Sequence, residues 1–228
     1  MREENNNKIL LTDFYSENEL NNITPRYNRF LLENTSLKYY QAKKIIVSDC
    51  DGVLTDGTSI VGQHPNDYTG VGILGKFAKA YGSYDKEAIK FMQDMKWDFE
   101  FVTADKEGFH VTDKRIKHLI KKEVLLRNGE GRKVLIDYLA NTGYSYIVFV
   151  GDSLSDLETL YSPSLNFFCY MPTIDAFHES AKYIMTNHLK LSDEEQDRKF
   201  KTFTSKVGGH GGFAENLYGI HKFARMDI

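Results

Sequence analysis

Two aspartates one residue apart, Asp49 and Asp51 in the run Asp49-Cys50-Asp51-Gly52-Val53-Leu54-Thr55-Asp56-Gly57, directly follow the apolar run Ile45-Ile46-Val47. A carboxylate of ordinary pKa, about 3.9, is ionised at neutral pH, and an aspartate oxygen can serve as a covalent nucleophile toward phosphorus. Two neighbouring anions facing a phosphate would repel it. That chemistry therefore asks for a hard divalent cation, and Mg2+ is the expected cofactor. In this scheme Asp49 attacks phosphorus in line. Asp51, two residues on and so on the same side of an extended chain, protonates the leaving oxygen and later deprotonates water. Gly52 lets the backbone turn close to the phosphate.

Further polar groups follow later apolar runs. In an open parallel sheet, ligands bind outside the carboxyl ends of the strands. Thr103 follows one such run, and Asp152 and Asp156 follow Val148-Phe149-Val150-Gly151. Lys133 is expected at the opening of the helix that precedes that last strand. The expected metal set is Asp49, Asp51 and Asp152, completed by a main-chain carbonyl, waters and a phosphate oxygen. Thr103 and Lys133 would hold equatorial phosphate oxygens, because phosphoryl transfer depends mainly on positioning and charge neutralisation. Taken singly, an Asp-x-Asp is an ordinary turn, and a Thr or Lys at an element end is an ordinary cap or surface residue. Their joint occurrence in this order carries the reading.

The elements that must position these residues alternate between apolar strands and helical stretches from Lys43 onward, which predicts an α/β fold with a Rossmann-like parallel sheet flanked by helices. Strands are expected at Lys44 to Ser48, Phe99 to Thr103, Tyr146 to Val150 and Leu165 to Tyr170. Ala88, Phe91, Met92 and Met95 form one helical stripe, and Val134, Leu135, Tyr138 and Leu139 a second, both assigned to core. Residues 1–42 read as an Asn-rich N-terminal extension and 43–228 as one catalytic domain. Within it, 58–83 is glycine-rich with the turn-like His64-Pro65-Asn66-Asp67 and reads as a projecting hairpin. The charge run Asp193 to Lys199 within 189–207 reads as a solvated helical face or an insertion. Residues 208–228 form a glycine-rich tail and an amphipathic terminal helix.

Composition narrows the class. The chain has 228 residues, 41% hydrophobic and 13% aromatic, enough for one sizeable core. A formal charge of -3 gives no basic field for nucleic acid, and no segment is apolar enough for a membrane span. With two cysteines, Cys50 and Cys169, no disulfide framework is expected, and a cytoplasmic location is. Cys50 points away from its acidic neighbours and is assigned to packing. His64 and His110 have no partner at metal spacing. Arg127 and Arg132 flank Asn128-Gly129-Glu130-Gly131; solvent-facing roles are expected for them, the alternative being that one reaches the ligand.

These motifs resemble those of the haloacid dehalogenase (HAD) superfamily of phosphatases. The Asp49 to Gly57 run matches its first motif, Thr103 the second, Lys133 the third, and Gly151-Asp152-Ser153-Leu154-Ser155-Asp156 the fourth. The Gly-Val-Leu-Thr-Asp-Gly wording is similar to the 3-deoxy-D-manno-octulosonate 8-phosphate phosphatase group. So are Asp85 with Ala88-Ile89-Lys90 and the late Gly208-Gly209-His210-Gly211-Gly212-Phe213-Ala214-Glu215. The resemblance spans about residues 43 to 224. It implies a fold without a large cap domain, a β-hairpin flap at 58–83, and a homotetramer in which a neighbour helps close each site. The tail would lie near an active site. Supporting roles are expected for Gly52, Gly151, Ser153 and Asp156, and substrate contacts from Thr55, Asp56, Asp85 and His210, with Arg115 either a further contact or a surface helix arginine.

The chain departs from that group where Thr-Gly-Arg becomes Thr103-Ala104-Asp105, replacing a cation with an anion, and where Ala214 stands for an arginine. Arg115 is a candidate replacement cation. The expected activity is hydrolysis of a small phosphomonoester, a sugar or sugar-acid phosphate. Nucleotides or nucleic-acid terminal phosphates are the alternative, with Tyr68, Phe77, Tyr81 and Tyr84 as stacking groups. A receiver-like signalling domain is disfavoured because its acids are adjacent, and a silent scaffold because every polar member of the set is present.

Overall fold

The computed structural model describes residues 36–63, 74–172 and 176–228, with Ser16 and Asn18 besides. The turn expected at His64 to Asp67 and the aromatic Tyr68 lie outside these, as does nearly all of the N-terminal extension. Its last part forms α1 (Leu37–Gln41), capped by the Ser36 side chain.

The strands follow the apolar runs. β1 (Lys44–Asp49) is buried throughout and lies at the middle of a sheet ordered β5-β4-β1-β6-β7-β8. Its partners there are β4 (Trp97–Thr103), β5 (Leu125–Leu126), β6 (Tyr146–Gly151), β7 (Phe167–Tyr170) and β8 (Phe200–Lys201). Every pairing in that sheet is parallel. A sheet of this kind is covered on both faces, and its strands read as continuous apolar runs because both faces are dry. Ile46, Phe99, Phe101 and Val148 face one layer, built from α2 (Asp85–Asp94), α3 (Phe109–Ile120) and the terminal helix α7 (Gly212–Asp227). Ile45, Val47, Phe149 and Phe168 face the other, built from α4 (Gly129–Asn141), a 3-10 helix (Leu154–Tyr161) and α5 (Ala176–Tyr183).

The stripe Ala88, Phe91, Met92 and Met95 is buried as expected. The stripe expected on α4 is corrected. Leu135, Ile136 and Leu139 are buried, whereas Val134 and Tyr138 are 59% and 62% exposed. The helix is rotated so that position 132 faces inward with 135, 136 and 139, the i, i+3, i+4, i+7 face.

The charge run forms α6 (Asp193–Lys199), started by reciprocal hydrogen bonds between Ser192 and Glu195. It leads into β8, so the insertion adds an edge strand. The hairpin is β2 (Thr55–Gln63) paired antiparallel with β3 (Leu74–Tyr81). Among the described residues, no helix is long and apolar enough to cross a membrane.

The chain runs from β1 to β4 and β5 on one side, then returns to β6 on the other. The strand order thus reverses at the carboxyl ends of β1 and β6, where open α/β sheets bind ligands. At the opposite end, Trp97 Nε1 donates to Tyr39 Oη at 2.7 Å, and Tyr39 Oη meets His221 Nδ1 at 2.7 Å, fastening α1 and α7 to the sheet.

Phe149 is fully buried and stacks on Phe168 with ring centroids 5.7 Å apart. Phe149→Ala should cost about 3–5 kcal/mol, read as a lower urea midpoint at unchanged slope.

Candidate active site

Leaving β1, the chain turns at once. Asp49 ends the strand, 5% exposed, opposite Val102 of β4. Gly52 has φ of +81°, and a Cβ there would sit 1.8 Å from Asp152 Oδ2, so glycine is required both by conformation and by space. Thr55 closes the turn: its hydroxyl accepts hydrogen bonds from the Gly52 and Gly57 N–H groups at 3.1 and 3.3 Å. Thr55 shapes this loop from a buried position.

A second glycine makes room at the end of β6. A Cβ on Gly151 would lie 2.6 Å from Asp156 Oδ2. That oxygen accepts from the N–H groups of Asp152 and Ser153 at 3.1 and 3.0 Å and from the Ser153 hydroxyl at 2.9 Å. Asp156 thus holds the loop that carries Asp152. Its other oxygen meets Arg132 Nη1 at 2.5 Å.

Asp49, Asp152 and Asp156 each offer an oxygen within 4.8 Å of the others, a group that could hold a metal ion. Arg132, 2% exposed, reaches into it from α4, donating to Asp49 Oδ1 at 2.7 Å and to Ser155 Oγ at 2.9 Å. One guanidinium therefore stands against three crowded carboxylates. Burial, reinforced by Asp156, pushes the Asp49 carboxyl well above its ordinary range even beside Arg132. Burial and Asp156 push Asp152 up to about 7. Burial also raises Asp156, against the pull of Arg132. A divalent cation relieves this repulsion, and an all-carboxylate set is what hard Mg2+ accepts.

Two expectations are corrected by this geometry. Lys133 does not face the acid group: its ammonium pairs with Asp137 at 3.0 Å on the outer side of α4, 34% exposed. One residue along a helix is a turn of about 100°, so only one of two adjacent cations can point at the sheet, and it is Arg132. The Asp51 carboxylate is also turned away from the acid group. Its Oδ1 pairs with Lys79 at 2.7 Å, and its Oδ2 accepts from the Thr103 hydroxyl at 3.3 Å. Asp156 stands in the acid group instead.

Lys79 was not singled out by sequence. It comes from β3 of the hairpin with a side chain 1% exposed, and also donates to Asp105 Oδ2 at 2.8 Å and Thr112 Oγ1 at 2.9 Å. Burial alone would lower its pKa, but hydrogen bonds to Asp105 and Asp51 outweigh burial and raise it. Asp105 is likewise buried enough to be raised, yet Lys79, the Gly108 N–H and Lys76 hold it well below the carboxylate range.

The remaining candidates lie at the margins. Asp56 Oδ1 accepts from the Thr58 N–H at 2.8 Å, and its Oδ2 lies 3.6 Å from His210 Nε2. A Cβ on Gly208 would be 2.2 Å from Thr55 O and 2.5 Å from Gly52 O, so the tail packs on this chain's own loop. Asp85 is fully buried at the base of the hairpin, and burial pushes it up to about 7 despite Arg115. Arg115 lies 5.2 Å over the Tyr81 ring and donates to Gly82 O at 3.3 Å. Arg115 thus covers one face of the half-buried Tyr81, while Tyr84 is 65% exposed. Cys50 is buried in the core, as expected for a packing role.

The parallel sheet and its antiparallel hairpin are those of the HAD-like α/β fold. Among solved structures, the chain is similar to 3-deoxy-D-manno-octulosonate 8-phosphate phosphatase from Moraxella catarrhalis, in complex with magnesium ion, phosphate ion and KDO. The identity is 21% and the TM-score 0.54, over 81% of this chain and 91% of that one. It is also similar to the cobalt-bound deoxy-D-mannose-octulosonate 8-phosphate phosphatase from Haemophilus influenzae, at 20% identity and TM-score 0.52, over 83% and 92% of the two chains. A protein from Streptomyces avermitilis assigned as a HAD family hydrolase is 16% identical at TM-score 0.55, over 82% and 89%. No family model matches the chain, and no curated protein matches it.

Because Asp152 binds its proton more tightly folded than unfolded, its contribution to stability is full below the unfolded value of 3.8 and is lost as pH rises through about 7. Without metal, the urea midpoint should fall between about pH 4 and pH 7. Asp152→Asn should flatten part of that slope, Asp85 titrating over the same range. Mg2+ at a hundred times its Kd should restore about 2.7 kcal/mol, with weaker binding at acid pH where the ligands are protonated.

Proposed function

We propose that this protein is a Mg2+-dependent phosphomonoester hydrolase working through an aspartyl-phosphate on Asp49. The observation that carries the reading is the convergence of Asp49, Arg132, Asp152 and Asp156 at the carboxyl ends of β1 and β6, with Asp51 and Thr103 alongside. One cluster at the strand ends then presents a nucleophile, an acid, a fixed cation and an oxygen ligand set.

Asp49 forms the new bond to phosphorus while the bond to the leaving oxygen breaks. Asp51, entering the step protonated, gives that oxygen its proton, so an alcohol departs and Asp51 is left as the carboxylate that pairs with Lys79. Asp51 then takes a proton from water as the water attacks the phosphorus of the aspartyl-phosphate, releasing inorganic phosphate and restoring Asp49. The Arg132 guanidinium holds phosphate oxygens, taking the part expected of Lys133; its planar fork suits a phosphate, while Thr103, whose one hydroxyl proton goes to Asp51, steadies that carboxylate. When bound by Asp49, Asp152 and Asp156, Mg2+ supplies charge neutralisation toward the phosphate oxygens.

A sugar or sugar-acid phosphate is the proposed substrate class. It is supported by the names of the Moraxella and Haemophilus proteins and tempered by Asp105, whose charge sits where the resembling group carries arginine. Base stacking on Tyr81 competes with Arg115, which already lies over one face of that ring.

A panel of sugar phosphates, sugar-acid phosphates and nucleoside monophosphates, assayed with Mg2+ and with EDTA, should give metal-dependent phosphate release favouring the first two classes. Asp49→Asn should abolish turnover while circular dichroism is unchanged. Arg132→Ala should lower kcat/KM by about a hundredfold or more, and Lys133→Ala by less than about threefold. Wild-type rates from Asp49→Asn would overturn the mechanism.

A further inference from the structure

We propose that Lys79 is a positioning residue for Asp51, reaching across from the hairpin to fix the general acid, with Asp105 as the counterion that holds Lys79 there. This rests on the hydrolase reading above. The geometry is a closed ring. Lys79 Nζ donates to Asp51 Oδ1 at 2.7 Å, Thr103 Oγ1 donates to Asp51 Oδ2 at 3.3 Å, the Asp105 N–H donates to Thr103 Oγ1 at 3.0 Å, and Lys79 Nζ donates to Asp105 Oδ2 at 2.8 Å. Each oxygen of the Asp51 carboxylate is thus held from a different side, which fixes its plane.

The ring uses the whole capacity of the ammonium. Its three donors meet Asp51, Asp105 and Thr112, and its side chain is 1% exposed, so no donor is left for solvent. A cation buried to that degree requires a matching charge. Asp105 supplies it, itself oriented by Lys76 at 2.9 Å and by the Gly108 N–H at 3.0 Å. Gly108 belongs to the arrangement as well: a Cβ there would lie 2.3 Å from Asp105 Oδ2 and 2.7 Å from Lys79 Cε. An arginine at 105 would set a second cation against a buried one. The acidic residue after Thr103 is therefore matched to a lysine of the hairpin, and the hairpin is seated on the floor of the site through the residue that delivers the proton.

Positioning a proton donor matters in proportion to how badly the leaving group needs the proton. p-Nitrophenolate departs readily as an anion, whereas phenolate does so less readily, and the two esters have nearly the same shape. kcat/KM, which reports the steps up to aspartyl-phosphate formation, separates proton delivery from general damage. Lys79→Met should lower kcat/KM for phenyl phosphate by about ten- to a hundredfold and for p-nitrophenyl phosphate by less than about threefold. If Lys79→Met fails to fold, Lys79→Gln, one bond shorter and without the charge, takes its place and should show the same selective loss on phenyl phosphate. Lys79→Cys should show the same selective loss, and alkylation with 2-bromoethylamine, which regenerates an ammonium at that length, should restore phenyl phosphate turnover. Equal losses on both esters, or none on either, would overturn the positioning role while leaving the hydrolase reading intact. A wild-type protein inert toward both esters and the whole phosphate panel would overturn that reading and this inference with it.

Discussion

The structure around the site depends on the repulsion between carboxylates gathered where β1 and β6 end. A parallel sheet brings Asp49 and Asp152 to adjacent strand tips, and the loop that presents Asp152 is closed by a third acid, Asp156. Nothing in the hydrophobic packing of the sheet favours this. It persists because Arg132 bridges Asp49 and Asp156, and because backbone N–H groups satisfy Asp156. The upward shifts at Asp49 and Asp152 express what remains unbalanced, and a divalent cation is the group that would balance it. Two positions have to be glycine for the acids to approach, since a Cβ on Gly52 would strike Asp152 and one on Gly151 would strike Asp156.

A second cluster adjoins the first with the opposite logic. Asp51 and Asp105 are matched by Lys79 and Lys76, so that side is close to neutral and needs no ion. Within the proposed mechanism this divides the labour: the unbalanced cluster attracts a cation and then a phosphate, and the balanced one holds still the carboxylate through which the proton passes. Asp49 and Asp51 are two residues apart in the chain, yet their carboxylates belong to different electrostatic environments.

Much of this was legible in the sequence. The apolar runs give the four central strands, and the acids sit where those runs end, because burial on both faces leaves few polar positions except strand tips. The cation of α4 was not legible in the same way. Val134, Leu135, Tyr138 and Leu139 form an acceptable stripe by composition, but Leu135, Ile136 and Leu139 form a better one, and that phase points Arg132 inward. Val134 and Tyr138 are exposed apolar residues, and an exposed apolar residue carries little information. Lys79 was hidden for another reason: its partners lie 26 to 33 residues away, and hairpin strands carry surface lysines as a matter of course. β5 and β8 have two residues each, too few for any periodicity to show.

What surrounds the phosphate position is supplied by elements outside the sheet. The hairpin starts at Thr55, immediately after the turn that follows Asp49, and the tail at Gly208 and Gly209 lies against the carbonyls and backbone of that same turn. Both are therefore referenced to one short loop. A displacement of that loop would move Asp49, the hairpin and the tail together, whereas a side-chain change on the hairpin or at His210 would leave Asp49 where it is. In a fold where the acids sit on strand tips and the surrounding wall is hung from the loops between them, a change at Asp105 can alter that wall without moving Asp49 or Asp152.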